Sequence, residues 1–64
     1  MSNNVKQWRE SLNLSRQELA DLVGVSRQTI YFIETKQYKP SIDLAHNLAQ
    51  VFQTTIEDIF FFTD

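Results

Sequence analysis

Residues 15 to 35, Ser-Arg-Gln-Glu-Leu-Ala-Asp-Leu-Val-Gly-Val-Ser-Arg-Gln-Thr-Ile-Tyr-Phe-Ile-Glu-Thr, decide the fold, because they hold two helix starts separated by the one glycine of the chain. Ser15 and Glu18 form a capping-box pattern: the hydroxyl accepts from the Glu18 amide, and the carboxylate reaches back to the Ser15 amide. A helix therefore starts at Arg16. Leu19, Ala20 and Val23 share one face of it, and Gly24 stands where a left-handed residue ends it. Ser26 then caps a second helix whose inward stripe is Thr29, Ile30 and Ile33.

Two short helices joined by a tight turn containing Gly make a helix-turn-helix unit. The spacing is what makes the pattern specific: Ala20 is small where the helices approach, and Gly24 turns the chain four residues later. The sequence resembles the Cro and phage-repressor type (XRE) helix-turn-helix family through Leu14-Ser15-Arg16-Gln17-Glu18-Leu19-Ala20, Gly24-Val25-Ser26-Arg27-Gln28-Thr29-Ile30, Ile33-Glu34 and Tyr38-Lys39-Pro40-Ser41. The resemblance covers about residues 4 to 60. It implies a mainly all-α, compact, five-helix lambda-repressor-like domain and a bacterial or phage DNA-binding transcriptional regulator, with a repressor as the expected sign.

At 64 residues there is room for one domain, residues 1 to 64, near the lower limit for folding without metal or disulfide support. Zero cysteines exclude a disulfide framework and thiolate metal sites. No cofactor or metal is expected, and no apolar run approaches the ~20 residues of a membrane span. A soluble, cytoplasmic protein follows from this reading. The enzyme class has no support: one histidine, His46, lies on a polar helix side, and there is no phosphate-cradling glycine loop. Glu57 and Asp58 are adjacent first-turn acids of a helix, so they point different ways rather than forming a catalytic pair.

The net charge of −2 is unevenly divided. Residues 1 to 39 hold all six basic residues (Lys6, Arg9, Arg16, Arg27, Lys36, Lys39) against four acids (Glu10, Glu18, Asp21, Glu34), for +2. Residues 40 to 64 hold four acids (Asp43, Glu57, Asp58, Asp64) and no Lys or Arg, for −4. Such a molecule can turn a positive pole toward phosphate and keep its acidic pole in solvent.

With Thr29, Ile30 and Ile33 inward, helical geometry places Gln28, Tyr31, Phe32 and Thr35 outward, flanked by Arg27. Gln can contact adenine and Arg guanine in bidentate fashion, and an aromatic ring can touch a thymine methyl. The resemblance assigns base edges to Arg27, Gln28 and Phe32, with Tyr31 beside them; Arg27 suits a phosphate equally, and Phe32 suits the core or a dimer mate. Phosphate contacts are expected from Ser15 and Arg16, then from Thr35, Lys36 and Lys39 beyond the second motif helix. Two positions depart from the family pattern. Arg16 stands where Gln is usual, and Thr35-Lys36 stands where Asn-Gly is common, which predicts that the second motif helix runs on by a turn. The resemblance also implies a buried or half-buried structural ion pair between Arg9 and Glu34.

The flanks complete the bundle. Asn3 or Asn4 caps a first helix with Val5, Trp8 and Leu12 inward, and Asn13 is a left-handed stop. Ser41 caps a fourth helix with the apolar set Ile42, Leu44, Ala45, Leu48, Ala49, Val51 and Phe52, broad enough to face both the helix-turn-helix unit and something further. Thr55 caps a short fifth helix to about Ile59. The tail Phe60-Phe61-Phe62-Thr63 reads as an edge strand that pairs with Ser2 to Val5 or with a second chain. Three consecutive aromatics exceed what one small domain can bury, so Phe60, Phe61 and Phe62 are expected at a homodimer interface. The alternative is an antitoxin or protein-interaction module in which partner binding is primary.

Overall fold

Serine and threonine caps punctuate the chain into helices at the positions their side chains dictate. The computed structural model describes residues 2–35 and 38–61. The readings of Lys36 as a phosphate contact and of Phe62 as an interface residue fall outside them. In chain order the elements are β1 (Ser2–Asn3), α1 (Val5–Ser11), α2 (Arg16–Val23), α3 (Arg27–Glu34), α4 (Ile42–Phe52), α5 (Ile56–Ile59) and β2 (Phe60–Phe61). The fold is mainly helical, with a small antiparallel sheet in which Ser2 opposes Phe61 and Asn3 opposes Phe60.

Each of α2 to α5 begins with a hydroxyl accepting from an amide three residues on: Ser15 from Glu18, Ser26 from Thr29, Ser41 from Leu44 and Thr55 from Asp58. Gly24 ends α2 at φ 75°, and Asn13 turns the chain after α1 at φ 59°. Leu19, Ala20, Val23, Ile30 and Ile33 from α2 and α3 meet Leu44, Ala45, Leu48, Ala49 and Phe52 of α4 in the core, closed below by Val5, Ile59 and Phe60. Trp8 stacks on Phe52, with ring centroids 5.9 Å apart and planes within 16°, so it is a structural ring. The two-stranded sheet explains the tail: Phe60 turns into the core at 8% exposure while Phe61 faces out at 39%.

Two expectations are corrected and two open readings are decided. Leu12 is exposed, because α1 closes at Ser11 and Leu12 occupies the cap at φ −95°, ψ 3°, off the helical stripe; the half-buried Leu14 packs on the core nearby. Asn3, not Asn4, supplies the α1 cap, its Oδ1 accepting from the Val5 amide at 3.1 Å. Asn4 occupies the cap position at ψ 34°, away from the extended conformation that lets a cap side chain reach its amide. Ile42, the first residue of α4, is 82% exposed, so the broad apolar set of α4 extends beyond the face that the core covers.

The second correction concerns the end of α3. It closes at Glu34 without a glycine: the Thr35 amide donates to the Tyr31 carbonyl at 3.0 Å, and the Thr35 hydroxyl, 3.1 Å from the same carbonyl and 3.2 Å from that of Phe32, offers a donor to Phe32, an acceptor that the helix end leaves open.

Candidate nucleic-acid interface

Residues at the start of α2 and along the outer face of α3 line one open concavity: Ser15, Arg16 and Gln17 from the first, Ser26, Arg27, Gln28 and Tyr31 from the second, with Arg9 at its floor. The sequence dictates this arrangement. Apolar stripes fix which face of each helix turns inward, the Gly24 turn joins the end of α2 to the capped start of α3, and the start of α2 lies against the later turns of α3 through Arg16. Arg16 and Arg27 on one surface, among hydroxyls and amides, make it suited to an anion.

Beneath that surface is a three-residue charge cluster. Arg9 donates from Nε to Glu34 Oε2 at 2.8 Å, and Arg16 donates from Nε to Glu34 Oε1 at 2.9 Å. Arg9 also donates from Nη1 to the Leu14 carbonyl at 2.7 Å, so one side chain ties α1, the approach to α2 and the end of α3. The Glu34 side chain is only 2% exposed and that of Arg9 10%, whereas that of Arg16 is 37% exposed. Two guanidiniums against one carboxylate leave a net positive charge at the concavity. Arg16 further covers the Tyr31 ring, its guanidinium carbon 5.2 Å from the ring centroid, within cation–π range.

The Arg9–Glu34 pair implied by the resemblance is thus present. The Arg16 bridge to the same carboxylate and its contact with Tyr31 were absent from the sequence reading. Their only sequence signal was an arginine where the family usually has glutamine.

The other expected site residues fall as follows. Arg27 and Gln28 are exposed at the first turn of α3, and Tyr31 is exposed one turn on. Phe32 is half-buried and does not pack against the core; its ring lies 5.9 Å from that of Tyr31, tilted by 53°. Ser15 is engaged on both sides, its hydroxyl accepting from the Glu18 amide at 3.0 Å and its amide donating to Glu18 Oε1 at 2.9 Å. The Glu18 carboxylate thereby sits at the α2 N-terminus, and the Ser15 backbone and hydroxyl bonds hold its pKa below the ordinary 4.5. The Thr35 hydroxyl is turned onto its own helix. Lys39 is exposed but stands apart from the concavity, at the rim of a separate apolar groove with Pro40, Ile42, Ala45, Ile56, Glu57, Phe60 and Phe61.

Among the described residues there is no group of His, Cys, Asp and Glu suited to a metal ion, and no helix is long and apolar enough to cross a membrane.

Comparison with known proteins gives the architecture its place. A helix-turn-helix family model matches residues 5–59. The chain belongs to the helix-turn-helix family of the Cro and phage-repressor type. Over all 64 residues it is 45% identical to an uncharacterized HTH-type transcriptional regulator of Archaeoglobus fulgidus, covering 90% of that protein. It is 47% identical to one of Methanocaldococcus jannaschii, covering 97% of it. Repressor protein C of Escherichia phage P2 is 37% identical across an alignment that takes in 100% of the chain and 69% of the phage protein. Two of these three relatives are archaeal, which widens the bacterial and phage range that the resemblance implied. The helix-turn-helix family is one of DNA-binding proteins rather than enzymes.

Proposed function

We propose that this helix-turn-helix protein is a sequence-specific transcriptional regulator, a repressor, that binds a palindromic operator as a homodimer and works in the cytoplasm. The observation that carries the reading is the concavity in which the exposed face of α3 adjoins the capped start of α2. In a helix-turn-helix, the second helix enters the major groove with its N-terminal residues at base edges while the first crosses the backbone. Arg27 and Gln28 would then read bases, with Tyr31 and Phe32 next along the same face. Arg16 and the first amides of α2 would meet a phosphate, joined by Ser15, with Lys36 as a further phosphate contact, whereas Thr35 spends its hydroxyl on its own helix and Lys39 belongs to the separate groove.

One recognition helix reads only a few base pairs, and a twofold axis doubles the site, placing half-sites about one turn or ~34 Å apart. Support for the dimer comes from the apolar groove bounded by Ile42 and Phe61, which are 82% and 39% exposed. Lys39 and Glu57 stand on its rim, and a twofold interface is self-complementary, so the lysine of one copy can meet the glutamate of the other. The same groove would serve a different protein chain, as an antitoxin or interaction module requires. A purified protein that stays monomeric while one stoichiometric partner binds the groove would favour that second reading.

The test of the reading face is the variant Gln28→Ala, taken through selection on a randomised DNA pool. Base preference at one position per half-site should relax while the rest of the site persists. Unchanged preference would show that the face was wrongly assigned.

A further inference from the structure

We infer that Arg16 is a positioning residue that fixes what Tyr31 reads, an inference that rests on the reading face proposed above. Tyr31 is 44% exposed on α3, and a surface tyrosine ordinarily samples several rotamers. Here its ring has a guanidinium against it at 5.2 Å and the Phe32 ring on its own helix at 5.9 Å. Arg16 in turn is not a free arm. Its Nε is bound to Glu34 Oε1 at 2.9 Å, and the other oxygen of that carboxylate is bound to Arg9 at 2.8 Å.

The near-complete burial of Glu34 and Arg9 makes the inner end of this chain of contacts rigid, and the rigidity is passed outward through Arg16 to the aromatic ring. A ring held beside Arg27 and Gln28 can place its edge against a thymine methyl reproducibly, whereas a ring free to rotate discriminates little.

Arginine has the chemistry for this and lysine does not. A planar guanidinium can give one N–H to the carboxylate while its flat face covers a ring, but an ammonium cannot do both with fixed geometry. The terminal nitrogens of Arg16 remain available to a phosphate, so positioning and phosphate contact are compatible. They differ in what they predict for base preference.

The test compares Arg16→Lys, Arg16→Gln, Tyr31→Leu and the double variant Arg16→Gln/Tyr31→Leu with the wild type. Each is titrated on the selected operator and on operators changed one base pair at a time, at two salt concentrations, after circular dichroism has confirmed helix content. Tyr31→Leu should reduce a discrimination of roughly tenfold at one base pair toward unity. Arg16→Lys and Arg16→Gln should lose discrimination at that same pair, and the double variant should lose no more than either single one. In the free protein, the Tyr31 ring proton signals of Arg16→Lys should move toward those of an unstructured tyrosine.

The inference is overturned if Arg16→Lys keeps the discrimination, if the single effects add in the double variant, or if Arg16→Gln weakens all sequences equally while the salt slope falls by about one. It is also overturned if Tyr31→Leu leaves preference intact while Gln28→Ala alters it, in which case the reading face itself survives. If neither changes any preference, the reading face falls with it.

Discussion

Neutralising Glu34 with the isosteric Glu34→Gln should destabilise the protein severely, and the geometry says why. Each carboxylate oxygen accepts from a different arginine, at 2.8 and 2.9 Å, so an amide can satisfy one arginine only by turning its NH2 toward the other. The inner partner, Arg9, is 10% exposed and cannot fall back on water. Breaking a buried pair by removing one member costs about 3–5 kcal/mol. The outer partner, Arg16, is 37% exposed, so loss of its bond alone should cost only about 0.2–1 kcal/mol. Since a chain of this length has roughly 3–10 kcal/mol of total stability, Glu34→Gln and Arg9→Ala should each remove a large share of it.

Urea unfolding followed by far-ultraviolet circular dichroism measures this directly. With a slope of about 1 kcal/mol per molar urea, the midpoint should fall by ~3 M or more for Glu34→Gln and Arg9→Ala, and by under ~1 M for Arg16→Ala. The reasoning fails if Arg16→Ala costs as much as Arg9→Ala, or if Glu34→Gln costs less than about 1 kcal/mol. Replacing the inner pair together, as Arg9→Met/Glu34→Leu, should recover much of the loss, because apolar residues carry no desolvation cost.

Three further outcomes follow from other parts of the fold. Gln53 holds the left-handed conformation at φ 57° at the end of α4, so Gln53→Gly should raise stability, by up to about 1 kcal/mol; a lower urea midpoint would contradict this. Because the folded pKa of Glu18 lies below 4.5, its capping contribution is present above that value and is lost as pH falls through the folded pKa. The stability gap between wild type and Glu18→Gln should therefore be constant near neutrality and narrow in acid, whereas a gap that widens on acidification would reverse the sign. Ile42→Ser with Phe61→Ser should convert a dimer to a monomer in sedimentation equilibrium without loss of helix, and an unchanged mass would remove the apolar groove from the interface.

Much of the fold was legible because its signals are local. A cap speaks to an amide three residues on, and Ser15, Ser26, Ser41 and Thr55 all do so as read. Gly24 and Asn13 announce left-handed turns by residue type, but Gln53 adopts the same conformation without such a signal. The tail strand was legible because three consecutive aromatics exceed what one small domain can bury and an extended chain divides them between two faces, and the structure supplies Ser2–Asn3 as its partner.

The charge cluster was less accessible. Arg16 and Glu34 are 18 residues apart, and their contact depends on how α2 and α3 are juxtaposed, which periodicity does not specify. The bond from Asn3 Nδ2 to the Ile33 carbonyl at 3.0 Å spans 30 residues and was missed for the same reason. Arg9 and Glu34 were paired only through family resemblance. At the end of α1, periodicity overreached: Leu12 fits the apolar stripe but lies where the stripe leaves the core.

The most direct measurement is selection of the purified protein on a randomised DNA pool, with the enriched sequences titrated at two salt concentrations. Enrichment of a palindrome with half-sites about one turn apart, bound with two chains per site, is the expected result. Weak, steeply salt-dependent and sequence-indifferent binding would contradict a dimeric operator-binding regulator.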